Sequence, residues 1–464
     1  MKRWSKGIWL ILLAALLLCS CAQNPQEDTP PPEDPPTPLE LYTAGRSAVD
    51  SAQHLIMEYQ IKETRTVRGN DYIKEISGKA SYSDWKQETM TAVVEENLRY
   101  GAYENRYSEI YCGGAAYVQA GGNNFMVAMQ PEAFIASQIP SVLINPHLYV
   151  NIVAEEKDSK TVIRFSNQVY VEEWLAQGRD ITLLTGSATA TLDSTGQLTQ
   201  CSYTAEYVWE GISYKFSVST HISVPKSLDL SGKHPDHIEE YTLLSDLRIP
   251  KLLMQTVGDV YSAKTISYHA AENIYSEALP LSMTQTHQLL VKGTGENLFA
   301  HIQYQTTIAD YRGEESVTTQ EDTYQDGVYT TCINGAEPEY LTTVPPETMR
   351  QACEDAALSA LMAMKYLSGG TVTDQGDTLR VDLLGNDSFQ EDLMVGITDF
   401  LQVDLDAQAE AMETVVASGY LVIDKYSGFP SSMGLALQRT HKLTEVTYQL
   451  NYSLDQTLSF VETE

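Results

Sequence analysis

Apolar and polar residues alternate with a period of two through long stretches of the chain. These stretches are rich in Tyr, Thr, Val and Ile. Such alternation is typical of strands that turn one face to a core and the other to water. We therefore predict antiparallel strands at 55–67, 75–82, 289–292 and 299–307, and closing meanders of strands at 188–224 and 419–460.

Two other stretches, 41–52 and 252–263, repeat their apolar residues every three or four positions. This spacing predicts an amphipathic helix that opens each half of the chain. Two further helical patches, 133–142 and 349–367, follow a Pro-Glu pair. Proline in the first turn followed by an acidic residue favours the start of a helix.

Short matches between the two halves indicate an internal repeat. Residues 51–55 match 262–266 at an offset of 211, and the Pro-Glu pair at 131–132 matches 346–347 at an offset of 215. Leu192-Asp193 matches Ile423-Asp424 at an offset of 231. The offset only grows along the chain. Small insertions between duplicated copies produce such a drift, whereas chance matches would scatter.

We therefore predict copy one at residues 39–228, a polar joint at 229–245 and copy two at 246–464. The last increase in offset places extra sequence between Asn386 and Met412. The order of helix, strands, helix and strands predicts an α+β fold class. Each copy would be one antiparallel sheet that curves around helices packed on a single face.

The N-terminal residues 1–20 have the features of a signal peptide. Lys2, Arg3 and Lys6 precede an apolar run of 11 residues at 8–18, which is too short to span a bilayer. The sequence Leu18-Cys19-Ser20-Cys21 then resembles the bacterial lipobox. That resemblance implies that Cys21 carries lipid and attaches the protein to the membrane. The alternative is an ordinary secretory peptide with an incidental cysteine.

Residues 21–38 are predicted to form a stalk. The segment contains seven prolines and several acidic residues, with almost nothing apolar to bury. Proline-rich chains adopt the extended polyproline II conformation at about 3.1 Å per residue, so this stalk could reach up to ~50 Å.

The pattern of both copies resembles a known family. The opening helix, the hairpin at Asp326-Gly327-Val328-Tyr329-Thr330 and the closing hairpin at 192–196 resemble Gram-positive lipoproteins of the LolA/LprG-like half-barrel group. The resemblance implies a half-barrel sheet over helices, which in some members encloses a cavity for lipid acyl chains. It offers no catalytic residues.

The middle helix predicted in copy two is a candidate wall for such a cavity. Methionine adapts to irregular shapes and is common at surfaces that accept varied apolar ligands. The alternative is that the same residues are simple core. The candidate ligand-binding residues are Met349, Leu358, Leu361, Met362 and Leu367.

Composition and charge limit the possible functions. The chain has 62 Asp and Glu against 30 Lys and Arg, a formal charge of −32, which excludes nucleic acid as a partner. We find no signature of a hydrolase, phosphate-binding loop or zinc protease, and we predict no cofactor and no metal.

Ser83 and Lys86 have the spacing of a nucleophile pair, but a hairpin turn is the simpler explanation. His234 and His237 in the joint could hold a cation, or could belong to a solvated linker.

Besides Cys19 and Cys21 the chain has two cysteines in each copy, at Cys112 and Cys201 and at Cys332 and Cys353. Outside the cytoplasm each pair could form a disulfide, and the sequence leaves this open.

These observations predict an extracytoplasmic, lipid-anchored protein with a non-enzymatic role. The first hypothesis is that it binds or carries an apolar ligand such as a lipid or lipoglycan. The alternative is a protein-interaction or envelope-sensing module with filled cores, whose partner is another envelope protein.

Overall fold

The computed structural model describes residues 35–101, 103–138, 144–176, 180–276, 282–310, 312–359, 361, 367–385, 412–443 and 446–460. The described residues are mostly β, with few helices. The signal peptide, Cys21 and most of the stalk lie outside them. The helices are α1 (Pro38–Asp50), α2 (Pro131–Ser137), α3 (Glu173–Ala176), α4 (Arg248–Ser262) and α5 (Pro346–Ala357), with short 3-10 turns at Pro146–Leu148, Ile238–Glu240 and Gly295–Asn297.

The strands form two large sheets. The first sheet contains β1 (His54–Val67), β2 (Asn70–Ser83), β3 (Thr91–Tyr100), β4 (Tyr103–Cys112), β5 (Ala115–Ala120), β6 (Asn123–Ala128), β7 (Tyr149–Lys157), β8 (Lys160–Gln168), β9 (Thr182–Leu192), β10 (Leu198–Trp209), β11 (Ile212–Ser223) and β12 (Thr242–Leu243). The second sheet contains β13 (Thr265–Ser276), β14 (Ser282–Lys292), β15 (Phe299–Ala309), β16 (Glu315–Gln325), β17 (Val328–Ile333), β18 (Glu339–Thr343), β19 (Leu367–Asp374), β20 (Thr378–Gly385), β21 (Met412–Asp424), β22 (Pro430–Leu443) and β23 (Val446–Ser459).

Both sheets repeat one strand order. The first runs β12-β6-β5-β4-β3-β2-β1-β11-β10-β9-β8-β7, and the second runs β18-β17-β16-β15-β14-β13-β23-β22-β21-β20-β19. In each sheet the first strand in sequence is therefore central: β1 pairs with β11, the last long strand of the first sheet, and β13 pairs with β23. The first residues of the two central strands, His54 and Thr265, are separated by the offset of 211 seen in the sequence.

The opening helices and the strands predicted at 55–67 and 299–307 agree with the structure to within about four residues, whereas β2 begins five residues and β14 seven residues before the predicted starts at 75 and 289. Helix α1 begins earlier than predicted because Thr37 and Glu40 form a capping box. The helix predicted at 349–367 is wrong in its second part. It ends at Ala357, and Leu367 begins β19 instead. Ser368-Gly369-Gly370 favours an extended chain over a helix, because glycine has a low helix propensity.

The joint at 229–245 is more than a linker. Its strand β12 pairs in parallel with β6 and so covers the edge of the first sheet.

The described structure contains no disulfide between the four cysteines that the sequence left open. The thiols of Cys112, Cys201, Cys332 and Cys353 are all free. No helix among the described residues is long and apolar enough to cross a membrane.

Helix α4 packs against both sheets. It contacts β3, β4 and β5 of the first sheet and β19 of the second. Only three residues of α1 are buried, whereas α4 buries eight: Ile249, Pro250, Leu253, Met254, Thr256, Gly258, Asp259 and Val260. The helix that opens the second half of the chain therefore completes the core of the first half.

Candidate functional site

Three of the five candidate ligand-binding residues lie in the buried core of the described structure, and their role in ligand binding stays a prediction. Met349, on α5, is buried in the common core, as are Leu358 and Leu361 after it. Leu367 is the first residue of β19, and Met362 lies outside the described residues. Two concavities of the described structure lie on the first sheet.

A polar surface covers the face of the first sheet that points away from the core. Alternation along the strands turns Met57, Tyr59 and Ile61 inward and Glu58, Gln60 and Lys62 outward on β1. Strand pairing aligns outward residues into three rows. We call this surface the polar trough: Gln119, Ser108, Glu95, Lys79, Glu58 and His221; Arg106, Asn97, Ser77, Gln60 and Ser219; Glu104, Arg99, Glu75, Lys62 and Ser217.

The trough is hollow. Two concavities of about 1040 and 1250 Å³ adjoin on this face and share Gln60, Asn97 and Arg106 in their lining. Six strands at about 4.8 Å spacing make the trough roughly 24 Å long, and three rows make it roughly 13 Å wide. These are the dimensions of one extended peptide of about seven residues.

The charges of the trough balance, although the whole chain is strongly acidic. It has four acids and four bases, and three of each form exposed ion pairs, including Lys62 with Glu75 at 2.9 Å and Lys79 with Glu58 at 3.0 Å. Among the described residues, Glu95 and the exposed Arg106 have no ion-pair partner. Arg106 therefore has a guanidinium available for a carboxylate.

A cluster of buried charges lies directly beneath the trough. Glu96 and Glu109 point to the core face, where their side chains are fully buried. The hydroxyl of Tyr59 donates to Glu96 Oε1 at 2.6 Å, and Gln138 Nε2 donates to Glu109 Oε2 at 2.6 Å. Tyr107 also donates its hydroxyl to Glu109. These bonds fix the strands that form the floor of the trough.

Lys251 of α4 supplies the positive charge for this cluster. Its Nζ lies 3.7 Å from Glu96 Oε2, 3.7 Å from Glu109 Oε1 and 4.6 Å from the centroid of the Tyr107 ring. Burial alone would lower the pKa of Lys251, but attraction by Glu109 and Glu96 outweighs it, so the pKa lies above its ordinary value. Lys251 is therefore charged at neutral pH.

We expect Lys251→Met to lower the free energy of unfolding by about 2 kcal/mol. The change leaves two buried carboxylates without a cation, and the cost stays below that of a fully buried pair because the Lys251 side chain is 27% exposed. Urea unfolding of the purified protein measures this loss. The matched control is Lys62→Met, whose exposed ion pair contributes at most about 1 kcal/mol. Equal losses in the two variants would contradict a role for Lys251 in the cluster.

The structure places the other candidate residues from the sequence in a turn and in the joint. Ser83 ends β2, and Lys86 lies in the following turn with its Nζ 2.7 Å from Asp50 Oδ1. His237 faces Glu239 at 3.4 Å. No group of three or more His, Cys, Asp or Glu residues within the described ranges could hold a metal ion.

The sequence contained a signal for the buried cluster that our interpretation missed. In the run Val94, Glu96, Leu98 and Tyr100 of β3, Glu96 occupies a position of the buried face. An acid at such a position needs a partner in the core. The trough had no comparable signal, because polar outward positions are ordinary in any antiparallel sheet with one face in water.

No family model and no curated protein matches the chain. Among solved structures, LprF from Mycobacterium bovis is 13% identical with a TM-score of 0.25, over 45% of this chain and 90% of that chain. Kievitone hydratase from Nectria haematococca is 8% identical with a TM-score of 0.13, over 88% and 90% of the two chains. Likenesses of this size carry no argument about the fold or function of this chain, and the resemblance to the half-barrel group stays a prediction.

Proposed function

We propose that this chain is a non-enzymatic lipoprotein, anchored by Cys21 at the extracytoplasmic face of the cell membrane, whose half-barrel domains act as an interaction module. The polar trough of the first sheet would bind a hydrophilic segment of another envelope protein. The observation that carries this proposal is the hollow, charge-balanced face whose middle row begins, on β4, with the exposed Arg106.

The chemistry of the trough favours a polar ligand over a lipid. An acyl chain laid on this face would remove charged and amide groups from water without giving them hydrogen bonds, which costs free energy. Of the residues predicted to line an apolar cavity in copy two, Met349, Leu358 and Leu361 are buried in the core. The apolar-ligand hypothesis is therefore the alternative that the experiment must distinguish.

The dimensions and charges of the trough define the segment that it would bind. A single extended peptide of about seven residues fills the length across the strands. Its polar groups would bond to the rows of Ser, Asn and Gln. An acidic residue near one end of the peptide would pair with Arg106, and arginine is enriched at protein interfaces for such bidentate contacts.

Selection from a library of random displayed octapeptides tests the proposal. We expect hydrophilic peptides with an Asp or Glu near one end to be enriched on the purified protein. Affinity for an enriched peptide should fall at least about tenfold in Arg106→Glu, since one charge-assisted bond is lost and a repulsion added. The matched control is Arg164→Glu on β8, because Arg164 is also exposed and lies outside the trough.

Enrichment that does not depend on Arg106, or no enrichment at all, would contradict the proposal. Native mass spectrometry with lipid extraction of the same preparation tests the alternative. Co-purified acyl lipid would favour the carrier hypothesis instead.

A further inference from the structure

The polar trough does not distribute its charges evenly over its three rows. The third row, which starts at Glu104, has two acids and two bases that pair with one another. The first row, which starts at Gln119, has two acids and one base. The middle row, which starts at Arg106, has one base and no acid. The first row therefore keeps one negative charge and the middle row one positive charge.

Glu95 carries the remaining negative charge of the first row. Lys79 on β2 lies between Glu95 on β3 and Glu58 on β1. Its Nζ lies 3.0 Å from Glu58 Oε1, and one ammonium can neutralise only one of the two acids. Glu95 is exposed and forms no ion pair with any residue of the described ranges.

Glu95 and Arg106 are diagonal neighbours in the sheet. The register of β3 and β4 sets Arg106 opposite Asn97 and Ser108 opposite Glu95. Diagonal neighbours of this kind have their Cα atoms about 7–8 Å apart. Both side chains line the same concavity of about 1040 Å³. Two opposite charges without partners therefore share one hollow.

The offset between these two charges matches an extended peptide. A peptide laid between the first and middle rows would turn successive side chains to opposite sides. It advances about 3.4 Å per residue, and β3 and β4 are about 4.8 Å apart, so two adjacent residues reach Arg106 on one side and Glu95 on the other. Because Arg106 lies one strand further out, its acidic partner would be the outer residue of the two.

We propose that the trough selects extended segments that carry an acidic residue near one end and a lysine or arginine one position further in. Glu95 then determines specificity for the base, as Arg106 does for the acid. The rest of the middle row is Asn97, Ser77, Gln60 and Ser219, which are neutral and require no charge at the inner positions. The inference rests on the proposed function, because it names the class of segment that the same trough would bind.

Fluorescence anisotropy with blocked, labelled heptapeptides tests the proposal on the purified protein. The paired peptides are Glu-Lys-Ser-Gln-Ser-Gln-Ser and Ser-Gln-Ser-Gln-Ser-Lys-Glu, which cover both directions of the chain. The reversed peptides exchange Glu and Lys, and the neutral peptides contain norleucine in place of Lys. We expect one paired peptide to bind about fivefold more tightly than its reversed and neutral counterparts, as for one exposed ion pair.

Two variants assign this preference to Glu95. Glu95→Gln should abolish the difference between the paired and neutral peptides. The matched control is Glu156→Gln on β7, because Glu156 is also exposed and lies outside the trough. The double variant Glu95→Arg with Arg106→Glu exchanges the two charges and should prefer the reversed peptides. A loss of folding cannot produce such a reversal.

The possible failures of the two proposals differ in this experiment. Equal binding of the paired and neutral peptides, or a preference that survives in Glu95→Gln, would overturn the inference and leave the trough as a peptide site. No binding of any acid-containing peptide would overturn the proposed function as well. Glycerophosphoethanolamine carries both charges as a soluble lipid headgroup. If it displaced the paired peptide with equal affinity, the site would belong to lipid headgroups, contrary to the proposal.

Discussion

Replacement of Arg65 by Met is expected to lower the free energy of unfolding by about 3–5 kcal/mol, the cost of breaking a buried ion pair from one side. Arg65 of β1 bonds to Asp259 of α4, and the two side chains are 7% and 5% exposed. The guanidinium also lies 4.4 Å from the centroid of the Phe429 ring, beside the second sheet. The substitution therefore leaves a buried carboxylate where the two sheets and α4 meet.

The loss in Arg65→Met should depend on pH. Burial raises the pKa of Asp259 above its ordinary value of 3.8, and without Arg65 nothing comparable lowers it. A raised pKa in the folded state means that stability is retained below about pH 4 and lost as pH rises through the raised pKa. The deficit of the variant should thus be larger at pH 8 than at pH 4.

Urea unfolding at the two pH values measures this effect. The matched control is Arg99→Met, because Arg99 is 57% exposed and pairs with Glu75 and Glu104 at 3.8 and 3.7 Å. Such exposed pairs contribute at most about 1 kcal/mol. A deficit for Arg65→Met that is no larger than this, or that does not change with pH, would refute the argument.

Gly258→Ala is expected to lower the free energy of unfolding by about 3 kcal/mol. Replacing glycine by alanine in a helix interior normally raises it by about 1 kcal/mol. A Cβ at Gly258 would lie 2.4 Å from Cγ and 2.5 Å from Cβ of Tyr100 on β3. Tyr100 is 4% exposed, and these atoms lie close to its backbone, so they cannot swing aside. The helix would have to move away from the first sheet.

Thermal unfolding of Gly258→Ala against Gly232→Ala checks this prediction. Gly232 has no neighbour within 4 Å of the added Cβ and ordinary backbone angles, so its substitution should leave Tm nearly unchanged. Should Gly258→Ala instead raise Tm, the contact between α4 and β3 would be looser than described.

Much of the fold was predictable because its signals are local. The alternation along 55–67 identified β1 almost to the residue, since each side chain of a strand responds to the face on which it lies. The growing offset between matches in the two halves likewise predicted a duplication, and the two sheets share one strand order. The prediction for helix α5 extended too far, to Leu367, because Met and Leu fit a helical pattern and a buried strand equally well over a short run.

The candidate site was not predictable from the same signals. The trough depends on which strands are neighbours, and β1 pairs with β11 some 150 residues later. The role of Lys251 depends on a helix of one half that packs on the sheet of the other. A lysine in the first turn of an amphipathic helix is ordinarily exposed, and no local pattern distinguishes this one.

The position of α4 also sets the order in which the protein can mature as it emerges from the ribosome or the export machinery. The eleven strands that end at Ser223 precede Lys251 and Asp259, so Glu96, Glu109 and Arg65 are synthesised before their counterions. At about 5–20 residues per second, synthesis of the intervening chain takes roughly 7–40 seconds. During that interval the face of β3, β4 and β5 is open to chaperones, and it closes only when the second half begins to appear.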